Sequence, residues 1–184
     1  VDERSFDSLA MPHLDAVYRF ARRLSGDDHE AEDLTQETFL RAYRAFDRFE
    51  LREFGVKPWL LKILHNTFLN RRAREQKAPR SVDQHTLDEV HTDPSVSPGG
   101  TIPELDYEDL DAEVKRALEK LSPEFRAIIL LWATAELSYQ EIADVLSIPI
   151  GTVMSRLHRA RQQLTKALAE YAKQRRLLSE EETE

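Results

Sequence analysis

The chain contains no cysteine among its 184 residues. Disulfides, cysteine nucleophiles, iron–sulfur clusters and thiolate zinc sites are therefore excluded, and a reducing compartment fits. Glycine and proline are scarce, at 5 and 8 residues, which argues against an all-β fold rich in tight turns. No apolar run approaches the roughly 20 residues that span a bilayer, so no membrane insertion is expected. The N-terminus is acidic and amphipathic with no visible secretory signal, and the expected location is the cytoplasm. What is present is 41% apolar and 33% charged residues, the mixture of a folded, helix-rich chain rather than a disordered one.

Positive charge is also short, with a formal net charge of −8. Taken alone, that total speaks against nucleic acid, but its distribution reverses the impression. Residues 1–80 hold 15 Lys/Arg and 14 Asp/Glu, residues 81–113 hold none and 10, and residues 114–184 hold 11 and 10. The deficit sits in one central segment, which also contains Pro94, Pro98, Gly99, Gly100 and Pro103 and has no sustained period. Like charges keep such a chain extended. The sequence thus predicts an all-α protein: two small helical domains, residues 1–80 and 114–184, joined by an acidic flexible linker over 81–113.

Before the linker, Phe6, Leu9, Leu14, Val17, Phe20, Ala21 and Leu24 follow a 3.6-residue period and predict one helix over 6–24. Ser25-Gly26-Asp27 breaks it. Asp27 suits the cap of a second helix running to about residue 46, with Glu30 placed as in a capping box. A third helix is predicted from about 58 to 76. After the linker, helices are expected over 110–120, from Ser122-Pro123 through Leu131, from the capping box Ser138-x-x-Glu141 to Leu146, and from about Gly151 through Tyr171. There is no internal repeat.

The turn Ser147-Ile148-Pro149 between the last two helices makes a helix-turn-helix pattern. Ile142 and Leu146 are expected to face inward from the first helix, and Val153 and Leu157 from the second. Ala143 is small where the helices would cross. Thr152, Ser155, Arg156 and Arg159 are left on the exposed side near a helix start, as hydroxyls and guanidinium forks suited to phosphates and base edges. An ordinary helical hairpin with a solvated basic face is the alternative on these residues alone.

The runs Leu121-Ser-Pro-Glu-Phe-Arg126, Ser138-Tyr-Gln-Glu-Ile-Ala143 and Gly151-Thr-Val-Met-Ser-Arg-Leu-His-Arg-Ala-Arg161 resemble domain 4 of extracytoplasmic-function bacterial sigma factors. The resemblance implies that Gly151, Thr152, Ser155, Arg156 and Arg159 read the −35 promoter element and that this domain touches the polymerase flap. Two residues depart from the family pattern. Ser147 stands where the turn often has Gly, and Met154 where Lys is common.

Asp33-Leu-Thr-Gln-Glu-Thr-Phe-Leu40 resembles the polymerase-binding helix of sigma domain 2. Asp33, Gln36, Glu37, Leu40 and Arg44 fall at i, i+3, i+4, i+7 and i+11, one helical stripe suited to a docking surface. The resemblance implies the clamp of core RNA polymerase as its partner. Ala31, Leu34, Ala42, Ala45, Phe46 and Phe49 supply the opposite side. Trp59 to Arg72 resembles the −10-recognition helix. Trp59, Ile63, Leu64 and Phe68 are expected to pack inward. Lys62, Asn66, Asn70, Arg71, Arg74 and Lys77 are assigned to −10 DNA, because amides read exposed base edges and cations hold phosphates. His65 is read as a surface or phosphate-facing residue. The family uses the preceding loop, here about residues 48–57, to capture a flipped −10 base.

The resemblance thus implies an alternative sigma factor that binds core RNA polymerase, recognises −35 and −10 promoter DNA and assists melting. It also implies an anti-sigma factor as a partner and a linker lying in channels later used by RNA. A stand-alone helix-turn-helix regulator is the alternative, but it has no need for the Asp33–Glu37 stripe or the Trp59–Lys77 segment. An enzyme is not expected. The six His are scattered at 13, 29, 65, 85, 91 and 158, Asp109 and Asp111 lie by no glycine loop, and no nucleophile–base constellation is visible. No metal and no cofactor is expected.

Overall fold

The computed structural model describes residues 5–49, 55–77 and 112–174. Among the described residues there are eight α-helices: α1 (Phe6–Ala10), α2 (Leu14–Ser25), α3 (Asp28–Ala45), α4 (Val56–Lys77), α5 (Ala112–Glu119), α6 (Pro123–Ala133), α7 (Tyr139–Leu146) and α8 (Ile150–Gln174). No strand occurs among the described residues. The expected linker lies outside the described residues apart from its last two positions, which begin α5.

The single helix predicted over 6–24 is in fact two, joined by a 3-10 turn at Met11–His13. The cause is Pro12, which has no N–H to donate and whose ring crowds the preceding turn. Ser5 caps the first piece by accepting from the Ser8 N–H at 3.2 Å. α2 ends on Gly26, whose φ of 81° lies in the left-handed region open to glycine. Asp27 then caps α3 as expected, its Oδ1 accepting from the Glu30 N–H at 2.8 Å. The Asp27 N–H donates to Ser25 Oγ at 3.3 Å, and the Glu30 carboxylate faces Arg72 at 3.7 Å instead of closing a capping box.

In the first block Val17, Phe20, Leu24, Leu34, Leu60, Leu61, Leu64 and Phe68 are buried between α2, α3 and α4. Each such side chain contributes roughly 1.5–3 kcal/mol by leaving water. Phe6 meets Phe39, Tyr43 and Phe46 edge-on, at centroid distances of 6.2, 5.4 and 5.5 Å. In the second block Ile128, Leu130, Leu131, Ile142, Val153, Leu157 and Ala160 form the centre. Its helix-turn-helix is secured locally. Glu141 N–H donates to Ser138 Oγ at 3.3 Å and Ser138 N–H to the Glu141 carboxylate at 2.7 Å, a complete capping box. Ser147 ends α7 at φ 55°, a conformation that costs a residue with a Cβ about 1–2 kcal/mol. Pro149 supplies the carbonyl that accepts from Thr152 and Val153, at 2.9 and 3.1 Å, and starts α8.

The two blocks pack together into one continuous apolar cluster. Arg126 of α6 bridges them: Nη1 donates to the Leu24 carbonyl at 3.1 Å and Nε to the Leu118 carbonyl at 3.1 Å. α7 lies against α4. Ile142 is buried and Leu146 is half-buried against the core, as expected of α7, and this contact encloses Val145 as well.

Candidate docking and nucleic-acid interfaces

α3 exposes Asp33, Gln36, Leu40 and Arg44 along one side, with Glu37 half-buried among them. With Arg41 and Arg71 they line one shallow concavity, so the structure brings the predicted stripe together. Leu40 is 50% exposed, an apolar side chain left in water at the centre of a polar face. The opposite side holds Ala31, Leu34 and Ala42 in the core, with Ala45, Phe46 and Phe49 half-buried. Thr35 and Thr38 are also buried there, and Thr35 Oγ1 satisfies itself by donating to the Ala31 carbonyl at 2.7 Å.

Glu37 is held from two sides. Arg41, one turn on, donates from Nε to Oε1 at 2.9 Å. Arg71 reaches across from α4, donating from Nη2 and Nε to Oε2 at 2.7 and 3.1 Å. Its Nη2 also donates to the Asp33 carbonyl at 3.3 Å. The Arg71 hydrogen bond, with help from Arg41, holds the Glu37 carboxyl below its ordinary range against a smaller opposing effect of burial. Glu37 is thus ionised and fixed in place.

On α4, Lys62, Asn66, Asn70 and Arg74 recur every four residues. The last three are exposed and Lys62 half-buried. Arg71 is one residue further round, about 100° away, and faces α3 instead. The side chain of Lys77 and the loop positions 50–54 lie outside the described ones. Lys62 and Asn66 line a cavity of about 680 Å³ whose walls include Phe49, Trp59, Ile63, Asp144 and Val145. Trp59 is half-buried and packs on Phe49, centroids 4.2 Å apart. Of the residues expected to point inward, Leu64 and Phe68 are buried and Ile63 is half-buried.

His65 is not a surface residue. It is 7% exposed, Nδ1 has no hydrogen-bond partner, and burial pushes its pKa down to about 4. A run of mostly apolar neighbours from Leu60 to Phe68, about two and a half helical turns, puts it on the core side; its polarity suggested the opposite.

On α8, Gly151 is exposed and Thr152, Ser155, Arg156 and Arg159 are half-buried. Ser155 Oγ donates back to the Thr152 carbonyl at 3.1 Å, which leaves its oxygen as an acceptor. Arg156 Nη1 lies 3.4 Å from the Glu124 carboxylate in the first turn of α6. Sequence reasoning passed over His158 and Gln162, which are exposed and 3.0 Å apart. Their spacing from Gly151 and Ser155, at i+7 and i+11 from the first, was the available signal. Arg161, also passed over, lies above the Trp132 ring at 4.3 Å. Among the described residues no helix is long and apolar enough to cross a membrane, and no three His, Cys, Asp or Glu cluster as metal ligands.

Residues 9–78 match the Sigma-70 region 2 family and residues 111–164 the Sigma-70 region 4 family. The chain is 42% identical over 170 residues to the ECF RNA polymerase sigma factor SigE of Mycolicibacterium smegmatis, covering 91% of this chain and 63% of that longer protein. It is 33% identical to SigW of Bacillus subtilis, also an ECF RNA polymerase sigma factor, with 91% of this chain and 90% of that one covered. Its fold is similar to that of the sigma factor RpoE of Bartonella quintana, solved with the anti-sigma factor NepR, at a TM-score of 0.63 and 32% identity over 86% of this chain and 93% of that one.

Proposed function

Since the chain belongs to the extracytoplasmic-function sigma factor family, we propose that it is a promoter-specificity subunit of RNA polymerase. It docks on the clamp of core enzyme through Asp33, Gln36, Glu37, Leu40 and Arg44. It reads −35 duplex through Gly151, Thr152, Ser155, Arg156 and Arg159, with its second block also against the flap. It engages the −10 strand through the α4 stripe and assists melting. It acts by binding alone, in the cytoplasm, with no chemistry of its own. The observation that carries this reading is a separate solvent-facing stripe on α3 beside the polar stripe of α4, in a chain whose other block is a helix-turn-helix. A stand-alone regulator would need only the last.

The closed packing of the two blocks then has to open. Elements at −35 and −10 are roughly 25 base pairs, or about 85 Å, apart along B-DNA. A compact chain of this length has a radius of gyration of only about 16 Å. In the closed form Lys62 and Asn66 share their cavity with Asp144 of α7, a carboxylate that would repel phosphate. The closed form is the one an anti-sigma factor would hold, as the relative solved with NepR was captured with such an inhibitor.

Transcription in vitro, with purified core polymerase and a pool of promoter DNA, tests the function. Specific run-off from a subset of promoters is expected; no transcription beyond core enzyme alone would refute it. Because the chain has no native cysteine, dyes on Leu69→Cys and Gln140→Cys report the opening directly. Energy transfer between α4 and α7 is expected to fall when holoenzyme forms and to stay high in the free protein.

A further inference from the structure

From the crossing of α3 and α4 we infer that Arg71 is a positioning residue of the docking face, acting through Glu37, and not a contact to −10 DNA. The inference rests on the docking reading of α3 and adds to it the group that holds that face in register.

Three of the donor contacts of the Arg71 guanidinium go to α3: two to Glu37 Oε2 and one to the Asp33 carbonyl. The terminal nitrogen Nη1 also lies 3.9 Å from the Asp33 carboxylate. The fork is therefore spent on two members of the stripe, Glu37 through its carboxylate and Asp33 through its backbone carbonyl. Asn70 and Arg74, its neighbours in sequence, are exposed, as a strand-reading face requires. Arg71 is only half-exposed and turned away from them.

The physical consequence is preorganisation. A free glutamate loses rotamer freedom when a partner immobilises it, a cost that docking would otherwise bear. A planar fork that binds the carboxylate beforehand, with Arg41 on its other oxygen, makes most of that loss part of folding rather than of docking. Glu37 is held ionised by the same contacts, so the face meets its partner with one charge state and one geometry. Lysine has the charge and the donors but not the planar fork that presents Nε and Nη2 side by side to Glu37.

A double-mutant cycle on affinity for intact core polymerase tests this, read by anisotropy of labelled full-length protein. Arg71→Ala and Glu37→Ala are each expected to weaken core binding by about three- to tenfold, and the double variant to be no weaker than Glu37→Ala alone within about twofold. Arg71→Lys should recover part of the loss, and only while Glu37 is present. A merely misfolded Arg71→Ala would instead worsen the Glu37→Ala background. Promoter opening by Arg71→Ala should recover once the variant is supplied well above its new dissociation constant. Losses that multiply in the double variant overturn the inference and leave docking standing. So does wild-type core affinity together with an opening defect that saturation does not mend. If Glu37→Ala itself binds core normally, the docking reading of Glu37 fails and the role of Arg71 falls with it.

Discussion

The proposed docking face on α3 and the proposed recognition face on α8 are both single helical faces, yet they are held differently. Glu37 is tied across helices by Arg71, 34 residues away, as well as by Arg41 on its own helix. On α8 the ties are local, Ser155 to Thr152 and His158 to Gln162, with one solvent-exposed pair between Arg156 and Glu124. The difference suits the partners. A folded protein surface rewards a patch already in its bound geometry. A duplex groove is met by long cations that settle on phosphates and base edges as they arrive.

The most forceful way to separate the two regions is acid. The scaffold of the docking face contains His65, buried and neutral, whereas His158 on α8 is exposed. The unfolded chain takes up a proton on this histidine near the ordinary 6.5, and the folded chain only near 4. Between these values the unfolded state binds more protons, so stability is full above 6.5 and falls as pH drops toward 4. The loss amounts to as much as about 3 kcal/mol. Urea midpoints measured across that window should show it, and His65→Leu should flatten the profile.

Next in size is charge reversal on α3. Asp33→Arg with Glu37→Arg places two cations beside Arg41 and Arg71 and should weaken core binding about tenfold or more. Helicity by circular dichroism should stay intact, and unchanged affinity in a titration would remove the docking assignment. On α8 the corresponding change is Arg159→Ala, worth about 1–3 kcal/mol for a base contact, or a salt slope reduced by about one for a phosphate contact. Arg156→Ala should cost less than Arg159→Ala, because Arg156 first gives up Glu124. Binding of holoenzyme to a −35-dependent promoter across a salt series ranks the two, and equal losses would show that the Glu124 pair is irrelevant.

The smallest expected effect sharpens the comparison from the side of stability. Ser147→Gly relieves a left-handed φ in the turn that aims α8, and should raise stability by about 0.5–1 kcal/mol after the entropy of glycine is counted. A calorimetric scan checks it. Core affinity should not move, since the turn lies in the other block.

Much of the fold was legible because it is local. The Asp27 cap, the Ser138–Glu141 box and the Pro123 start rest on residues within four positions of one another, and the α3 stripe follows from helical period alone. Even the missed break at Met11–His13 was available from Pro12. Family motifs added what period could not, namely which partner each face would suit.

By itself, then, the sequence determined most of the helix caps and periods, with the first two helices read as one, the order of the two blocks, and the charge of the segment between them. Only the tertiary structure decided that His65 is buried, that Val145 is enclosed along with Ile142, that Arg126 reaches the Leu24 carbonyl 102 residues away, and that Arg71 turns to Glu37 instead of following Asn70. The reason is physical. Caps and amphipathic period depend on neighbours fixed by covalent spacing, whereas each of these contacts depends on the angle and register at which two helices cross, and many registers satisfy the same hydrophobic pattern.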